Sequence, residues 1–484
     1  MAESIKKILA KGIFWNIIEK FFVQGVGFVI GIILARLLSP SDYGLMGMLV
    51  IFIAISNQFV DGGLFKALIQ KKDCSNRDYS TVFVTNFAMA VAIYGILFIC
   101  APYIASFYEE PILTDLTRVI GLNFILGSFN SIQRAKLQKS VDFKSLAKIN
   151  AISHVLSGLT GVVMAYNGFG VWALVGQSIV STIIGIFLFP LYSKWKLSFQ
   201  FSFDSFKQLF GFGSKLMITG LFSIIINNIS TLFIGKTYNS SQLGYYTKGQ
   251  NYPTLISNIV YGVLGTVTFP VLSNLQDDKD YLVQVYKKCL FLIALVVFPA
   301  MILVALLSKP LVLLLLTEKW LPCVVFLQIM CFAKMFTPLS ALNMNILNAV
   351  GRSDLFMKLD FSKAPLILGT LAITIPISVE AIVWGNLFTS FICFFINAYL
   401  PGKMFGYGAW DQIKDWKFIF LSLFLMSICV ILICTTTNSV WLKIIIGGII
   451  GVSVYIGSCL IFGVIKKDFL NSLYQNVKSK YSNQ

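Results

Sequence analysis

The sequence predicts an all-α polytopic membrane protein of about fourteen transmembrane helices: two six-helix lobes followed by two C-terminal helices. Three observations carry this expectation. Of 484 residues, 57% are hydrophobic and only 12% are charged, where a soluble chain carries roughly 25% charged residues. The mean hydropathy is +0.80. Apolar stretches of about 20 residues, the length that crosses a bilayer as a helix, recur from one end of the chain to the other. The composition excludes a soluble enzyme, a disordered scaffold and a receptor with a single anchor.

The elements follow in order. The apolar run from Ile13 to Leu38 is too long for the hydrophobic region of a signal peptide and reads as a retained first span. Five further spans are expected near 44–63, 81–105, 116–133, 149–167 and 170–192, closing an N-lobe over residues 1–193. Residues 194–210 place Phe199, Phe203, Phe206 and Phe210 at helical spacing with Lys194, Lys196 and Lys207 beside them. This predicts an amphipathic helix on the cytoplasmic surface that meets anionic headgroups, within a linker over 194–213. Six spans near 216–235, 252–272, 286–307, 322–348, 361–377 and 379–400 make a C-lobe over 214–400. Spans near 416–434 and 441–465, with a cytoplasmic tail, complete 401–484.

The formal charge of +17 would suggest nucleic acid in a soluble protein. Here it reports topology, and no nucleic acid partner is expected. With the N-terminus inside, 29 of the 38 basic residues fall in cytoplasmic segments, most densely over 134–148. Arg36, Arg118, Lys236, Lys248, Lys309, Lys319 and Lys443 fall outside, and Lys20 and Lys334 lie within spans. That asymmetry satisfies the positive-inside rule. It places both termini in the cytoplasm, with the chain in an inner or plasma membrane.

The chain also repeats itself. IILARLLSPSDYGL (32–45) aligns without a gap on LFIGKTYNSSQLGY (232–245) at an offset of 200, setting Ser41 on Ser241 and Gly44 on Gly244. A weaker echo pairs 137–148 with 349–360 and sets Asp142 on Asp354. Each pair occupies the same place in a six-span unit. Six is even, so both units enter the membrane alike and the axis relating them runs along the membrane normal.

Little in the sequence points to metal or covalent chemistry. The nine cysteines contain no C-x-x-C pair and mostly sit in apolar runs, and there is a single histidine. A zinc site is not expected, nor any other metal or cofactor, and the cysteines read as small apolar residues. Asp278-Lys279-Asp280 resembles the D-x-D clamp of glycosyltransferases but fits a helix N-terminus with acidic first-turn residues. No phosphate-binding G-x-x-x-x-G-K-[ST] loop occurs.

Ionisable and amide side chains inside spans are costly and usually face a cavity. Lys20 and Gln24 share a face of the first span at i,i+4, and Asn57 and Asp61 share one of the second. Asn227 and Asn228 lie in the seventh span and Lys334 near the middle of the tenth. His154, near the cytoplasmic side of the fifth, reads as a hydrogen-bonded packing residue.

The strings LARLLSPSDYGLMGM and FVDGGLFKALIQKKD resemble the start of bacterial polysaccharide flippases of the Wzx type, closest to the colanic-acid and lipopolysaccharide exporter branch. GFGVWALVGQ, FGSKLMITG, LGYYTKGQNYP, FPVLSNLQDD, LLTEKWLP and NAVGRSDLFMKLD continue that likeness in the branch's order, over roughly residues 10–410. The resemblance implies the multidrug/oligosaccharidyl-lipid/polysaccharide exporter fold. It also implies export of an undecaprenyl-diphosphate-linked oligosaccharide to the periplasmic leaflet. Lys248 is similar to a basic residue of the related lipid II flippase branch, although the spacing to Pro253 differs by about one residue. Ser230 stands where members often carry an acidic residue.

On this reading the protein is a transporter for surface-polysaccharide synthesis and not an enzyme. Lys20, Lys248 and Lys334 would hold the diphosphate, and Asn57, Asn227 and Asn228 would meet sugar hydroxyls. The polyprenyl tail would stay among membrane lipids. An ion gradient would drive the cycle, with Asp61 as coupling acid, and other polysaccharide assembly proteins would be partners. Two alternatives stay open. A multidrug or cation antiporter of the same superfamily would present an acidic, aromatic cavity. A polysaccharide polymerase or ligase would need a sizeable periplasmic loop, and the outer loops here are short.

Overall fold

The structure is a computed structural model that describes residues 22–71, 73–195, 198–275 and 278–464. Lys20 and Lys196 lie outside the described residues. All regular structure among the described residues is helical. Among the described residues ten helical segments, Cys323–Ala349 taken as one, are long and apolar enough to cross a membrane, and Phe22–Leu37 is a shorter apolar helix. The chain is a multi-pass membrane protein.

Two compact units divide between Thr247 and Lys248. The first holds α1 (Phe22–Leu37), α2 (Pro40–Asp61), α3 (Leu64–Gln70), α4 (Asn76–Tyr108), α5 (Leu113–Lys139), α6 (Phe143–Tyr166), α7 (Trp172–Ser193), α8 (Phe203–Thr237) and the start of α9 (Ser240–Asn274). Local chemistry sets its turns. Ser39 caps α2 and Ser75 caps α4, each in a reciprocal box with the aspartate three residues on, Asp42 and Asp78. Two orphan N–H donors are thereby satisfied at each start. The left-handed pair Gly62 and Gly63 turns α2 into α3, a conformation that costs glycine little. Beneath α3, Leu64, Leu68, Phe83, Ile132 and Trp195 form a buried core.

The amphipathic helix expected over 194–210 is not formed as such. Lys194 adopts a left-handed conformation that ends α7, residues 198–202 are non-helical, and Phe203–Phe210 are simply the first turns of α8. Two straps hold the segment extended. The Ser202 backbone N–H donates to Thr81 Oγ1 at 3.1 Å, and Phe199 packs edge-on against Phe83 with centroids 5.6 Å apart. The alternation Phe199, Phe201, Phe203 has the period of two that an extended chain displays. Reading only the helical subset of these phenylalanines hid it.

The unit boundary also differs from the expected break at the linker. Helix α8 packs along α2, α3 and α4 and so belongs to the first unit. Gln58 of α2 donates to the Met217 carbonyl of α8 at 3.2 Å.

The 200-residue repeat appears as matched turns. The backbone leaves a helix at Leu37 and at Thr237 and re-enters one at Pro40 and at Ser240. These two turns then meet inside the first unit. A Cβ on Gly44 would overlap the Ser240 carbonyl, and one on Gly244 would overlap the Pro40 carbonyl, while Ser41 Oγ and Ser240 Oγ lie 2.8 Å apart. The weaker echo holds with a corrected register. Val141 and Asp142 donate backbone hydrogen bonds to Gln138 and Leu137, as Gly351 and Arg352 do to Asn348 and Leu347. Both turns pass through positive φ, 58° at Val141 and 77° at Gly351. Asp142 therefore corresponds to Arg352, not to Asp354. The aspartates had aligned because each lies near a helix start, where acidic residues are favoured.

The second unit comprises the rest of α9, α10 (Lys279–Leu306), α11 (Ser308–Leu315), a short 3₁₀ turn (Glu318–Trp320), α12 (Cys323–Met335), α13 (Thr337–Ala349), α14 (Ser353–Ser362), α15 (Ala364–Thr374), α16 (Val379–Phe405), α17 (Ala409–Asp415), α18 (Lys417–Thr436) and α19 (Val440–Ile461). Phe298 anchors its core, with Phe336, Trp416 and Phe420 around it. A buried polar set, Tyr286, Asn343 and Gln412, ties α10 and α13 to α17. Beside it, burial and then the hydrogen bond to Asp415 raise the Tyr407 hydroxyl well above its usual range.

Candidate functional site

The first unit encloses a cavity of about 520 Å³, within the range of ligand sites. Five helices build it, three of them by helical spacing. α5 supplies Asn130, Arg134 and Gln138, each four residues from the next, and α6 supplies Asn150, Ser153 and His154. α7 supplies Ser181, Thr182, Gly185 and Phe189, and Asp61 at the end of α2 and Phe65 of α3 complete the wall. Residues three and four apart share a helix face, so α5, α6 and α7 each turn a polar stripe into the cavity.

The stripes are held by direct contacts. Asn130 Nδ2 donates to the Thr182 carbonyl at 2.9 Å, and a Cβ on Gly185 would stand 2.7 Å from that nitrogen. Glycine is what lets the amide lie against α7. The amide oxygen Oδ1 is left buried without a partner, as is Ser153 Oγ. Leaving such an atom unpaired costs about 1–3 kcal/mol. Asp61 closes α2 at the α2–α3 turn, beside the backbone of Gly63 and Phe65 and near the Lys66 ammonium. Arg134 is exposed at the mouth, and its guanidinium has no carboxylate partner among the described residues. The arrangement offers one fixed positive charge, several amides and hydroxyls, and two phenyl walls.

Of the residues expected to form a substrate cavity, Asp61 lines this one. His154, read as a packing residue, lines it as well. The others among the described residues lie on α1, α2, α8, α9 and α12. Gln24 is half-buried on α1 and Asn57 is exposed on α2. On α8, Asn227 is exposed, and Asn228 Nδ2 donates back to the Ile224 carbonyl of its own helix at 2.8 Å. Lys248 is 5% exposed in the second unit, its ammonium 5.5 Å from the centre of the Trp320 ring. Lys334 is half-buried on α12, where its carbonyl accepts from Ser257 Oγ at 2.8 Å. Ser257 lies nine residues beyond Lys248 on α9, about 13 Å at 1.5 Å per residue. Lys20 is outside the described residues.

Residues 33–325 match the family described as Polysaccharide biosynthesis protein. The lipopolysaccharide biosynthesis protein WzxC of Escherichia coli K12 is 24% identical over 374 residues, 76% of each chain. The teichuronic acid biosynthesis protein TuaB of Bacillus subtilis is 25% identical over 354 residues, 73% of each chain. Among solved structures, the lipid II flippase MurJ in an inward closed conformation superposes with a TM-score of 0.73 at 16% identity, covering 92% of this chain and 98% of that one. An inward-facing multidrug resistance MATE family transporter of the MOP superfamily gives 0.62 at 15% identity, covering 80% and 94%. At these identities the two structures establish the fold.

Proposed function

The chain belongs to the polysaccharide biosynthesis protein family, and from that premise we propose that it is a flippase for lipid-linked oligosaccharides. It moves a polyprenyl-diphosphate-linked oligosaccharide from the cytoplasmic to the periplasmic leaflet of the bacterial inner membrane by alternating access, for surface polysaccharide assembly. The observation that carries this is a cavity of amides, hydroxyls and one guanidinium inside a unit built of membrane-spanning helices. A charged sugar headgroup is very costly to strip of water in a hydrocarbon core, and such a cavity supplies replacement hydrogen bonds along the way. No bond in the substrate need be made or broken, so the protein acts as a transporter and not as an enzyme. Both termini are cytoplasmic on the distribution of basic residues, with the mouth at Arg134 facing the side where the substrate is made. Lys20, Lys248 and Lys334 remain candidates for diphosphate contact.

An organic cation is the less suited cargo. The cavity's one carboxylate, Asp61, lies near the Lys66 ammonium, and the charge at the mouth is positive. The test is complementation of a flippase-null strain scored for surface polysaccharide. Restored polymer is expected, and resistance to cationic drugs without restored polymer would overturn the reading.

A further inference from the structure

We propose that the cavity between α5, α6 and α7 is a glycan subsite that reads an anionic group carried on a sugar, with Arg134 as its specificity-determining residue. The inference rests on the transport reading above and names what the cavity selects. Three features point the same way. Arg134 stands at the mouth with no carboxylate to neutralise it among the described residues. A guanidinium offers paired N–H donors in the fork geometry that carboxylate and phosphate oxygens accept. One helical turn from Arg134 in either direction on the same face of α5 stand the amide side chains of Asn130 and Gln138, and Ser181 adds a hydroxyl from α7, so the lining offers hydrogen-bond partners for sugar hydroxyls.

Phe65 and Phe189 supply the apolar wall against which the C–H face of a sugar ring can lie. A free phosphate would satisfy Arg134 alone and a neutral sugar only the interior. A sugar bearing an anion satisfies both. The anion can be a carboxylate on the ring or the phosphate at the anomeric carbon, and the chemistry at Arg134 is shared.

The experiment uses the purified full chain in lipid nanodiscs and four soluble probes: glucuronate, glucose 1-phosphate, glucose and inorganic phosphate. Saturation-transfer NMR measures binding. The better of the two anionic sugars should bind about tenfold more tightly than either glucose or inorganic phosphate. Whichever anionic sugar binds more tightly identifies the source of the charge, glucuronate for an acidic sugar residue and glucose 1-phosphate for the diphosphate linkage. Arg134→Gln should remove the preference, Arg134→Lys should retain part of it, and Gln138→Ala should weaken all three sugars together. On the wild-type chain, modification of Arg134 by phenylglyoxal, read by mass spectrometry, should slow several-fold with the favoured anionic sugar and not with glucose.

Equal binding of glucose and both anionic sugars, or a preference that survives Arg134→Gln, overturns the subsite. Vesicle translocation separates the two readings. Binding through Arg134 without translocation of a lipid-linked oligosaccharide overturns the transport reading and leaves the subsite standing. Translocation without any anionic preference does the reverse.

Discussion

Gly185 shows how single residues shape the cavity. It has no catalytic group, yet its missing side chain lets the Asn130 amide rest on α7 and donate to the Thr182 carbonyl. Gly185→Ala should push that amide aside with little loss of folded protein, because the displaced atom ends a flexible side chain. Transport should fall several-fold while protein level on a blot stays near normal, and unchanged transport would mean that Asn130 is not a substrate contact. Asp61 was legible as an unusual intramembrane acid. Asn130, Arg134 and Ser153 were not singled out, because a density of basic residues over 134–148 reads first as a cytoplasmic loop. The signal was nonetheless present in the i,i+4 progression Asn130, Arg134, Gln138, matched by Asn150 and His154 on the next helix. Periodicity shows which residues share a face. It does not show which faces converge, and that is why the lysines drew attention first.

Helix positions followed closely from hydropathy, because burying a backbone in lipid leaves the helix as the economical solution for an apolar run. What failed was the linker, where extended straps to Thr81 and Phe83 outweigh helical spacing, and the allegiance of α8, which sequence order assigned to the second lobe. The repeat was legible because turn residues, not only apolar ones, recur at the same offset. Its closest packing joins the starts of α2 and α9. Cysteines at Ser41 and Ser240 should therefore form a disulfide on mild oxidation, detected as a linked peptide by mass spectrometry, while either single variant should not show it. Adding Gly44→Ala should reduce that link several-fold and lower thermal stability by about 1–3 kcal/mol, the usual range for overpacking. Unchanged cross-linking would contradict the backbone contact between the two turns.

At the scale of the molecule, composition and charge placement fixed the class of protein before any site was visible. Orientation is the most accessible test. A periplasmic reporter fused after Asn239, in the turn between α8 and α9, should be active, and one fused after Asp278, ahead of α10, should be silent. The opposite pattern would invert the chain and put the Arg134 mouth on the wrong side for a substrate made in the cytoplasm. The central claim is tested most directly in vesicles reconstituted with the purified chain and a fluorescent polyprenyl-diphosphate-linked oligosaccharide, with an impermeant quencher added outside. The account predicts that headgroups sealed in the inner leaflet become quenchable at a rate that rises with the amount of folded protein and falls in Arg134→Gln when the headgroup carries the anion that Arg134 reads. Quenching no faster than in empty vesicles, from protein that remains folded, would contradict it.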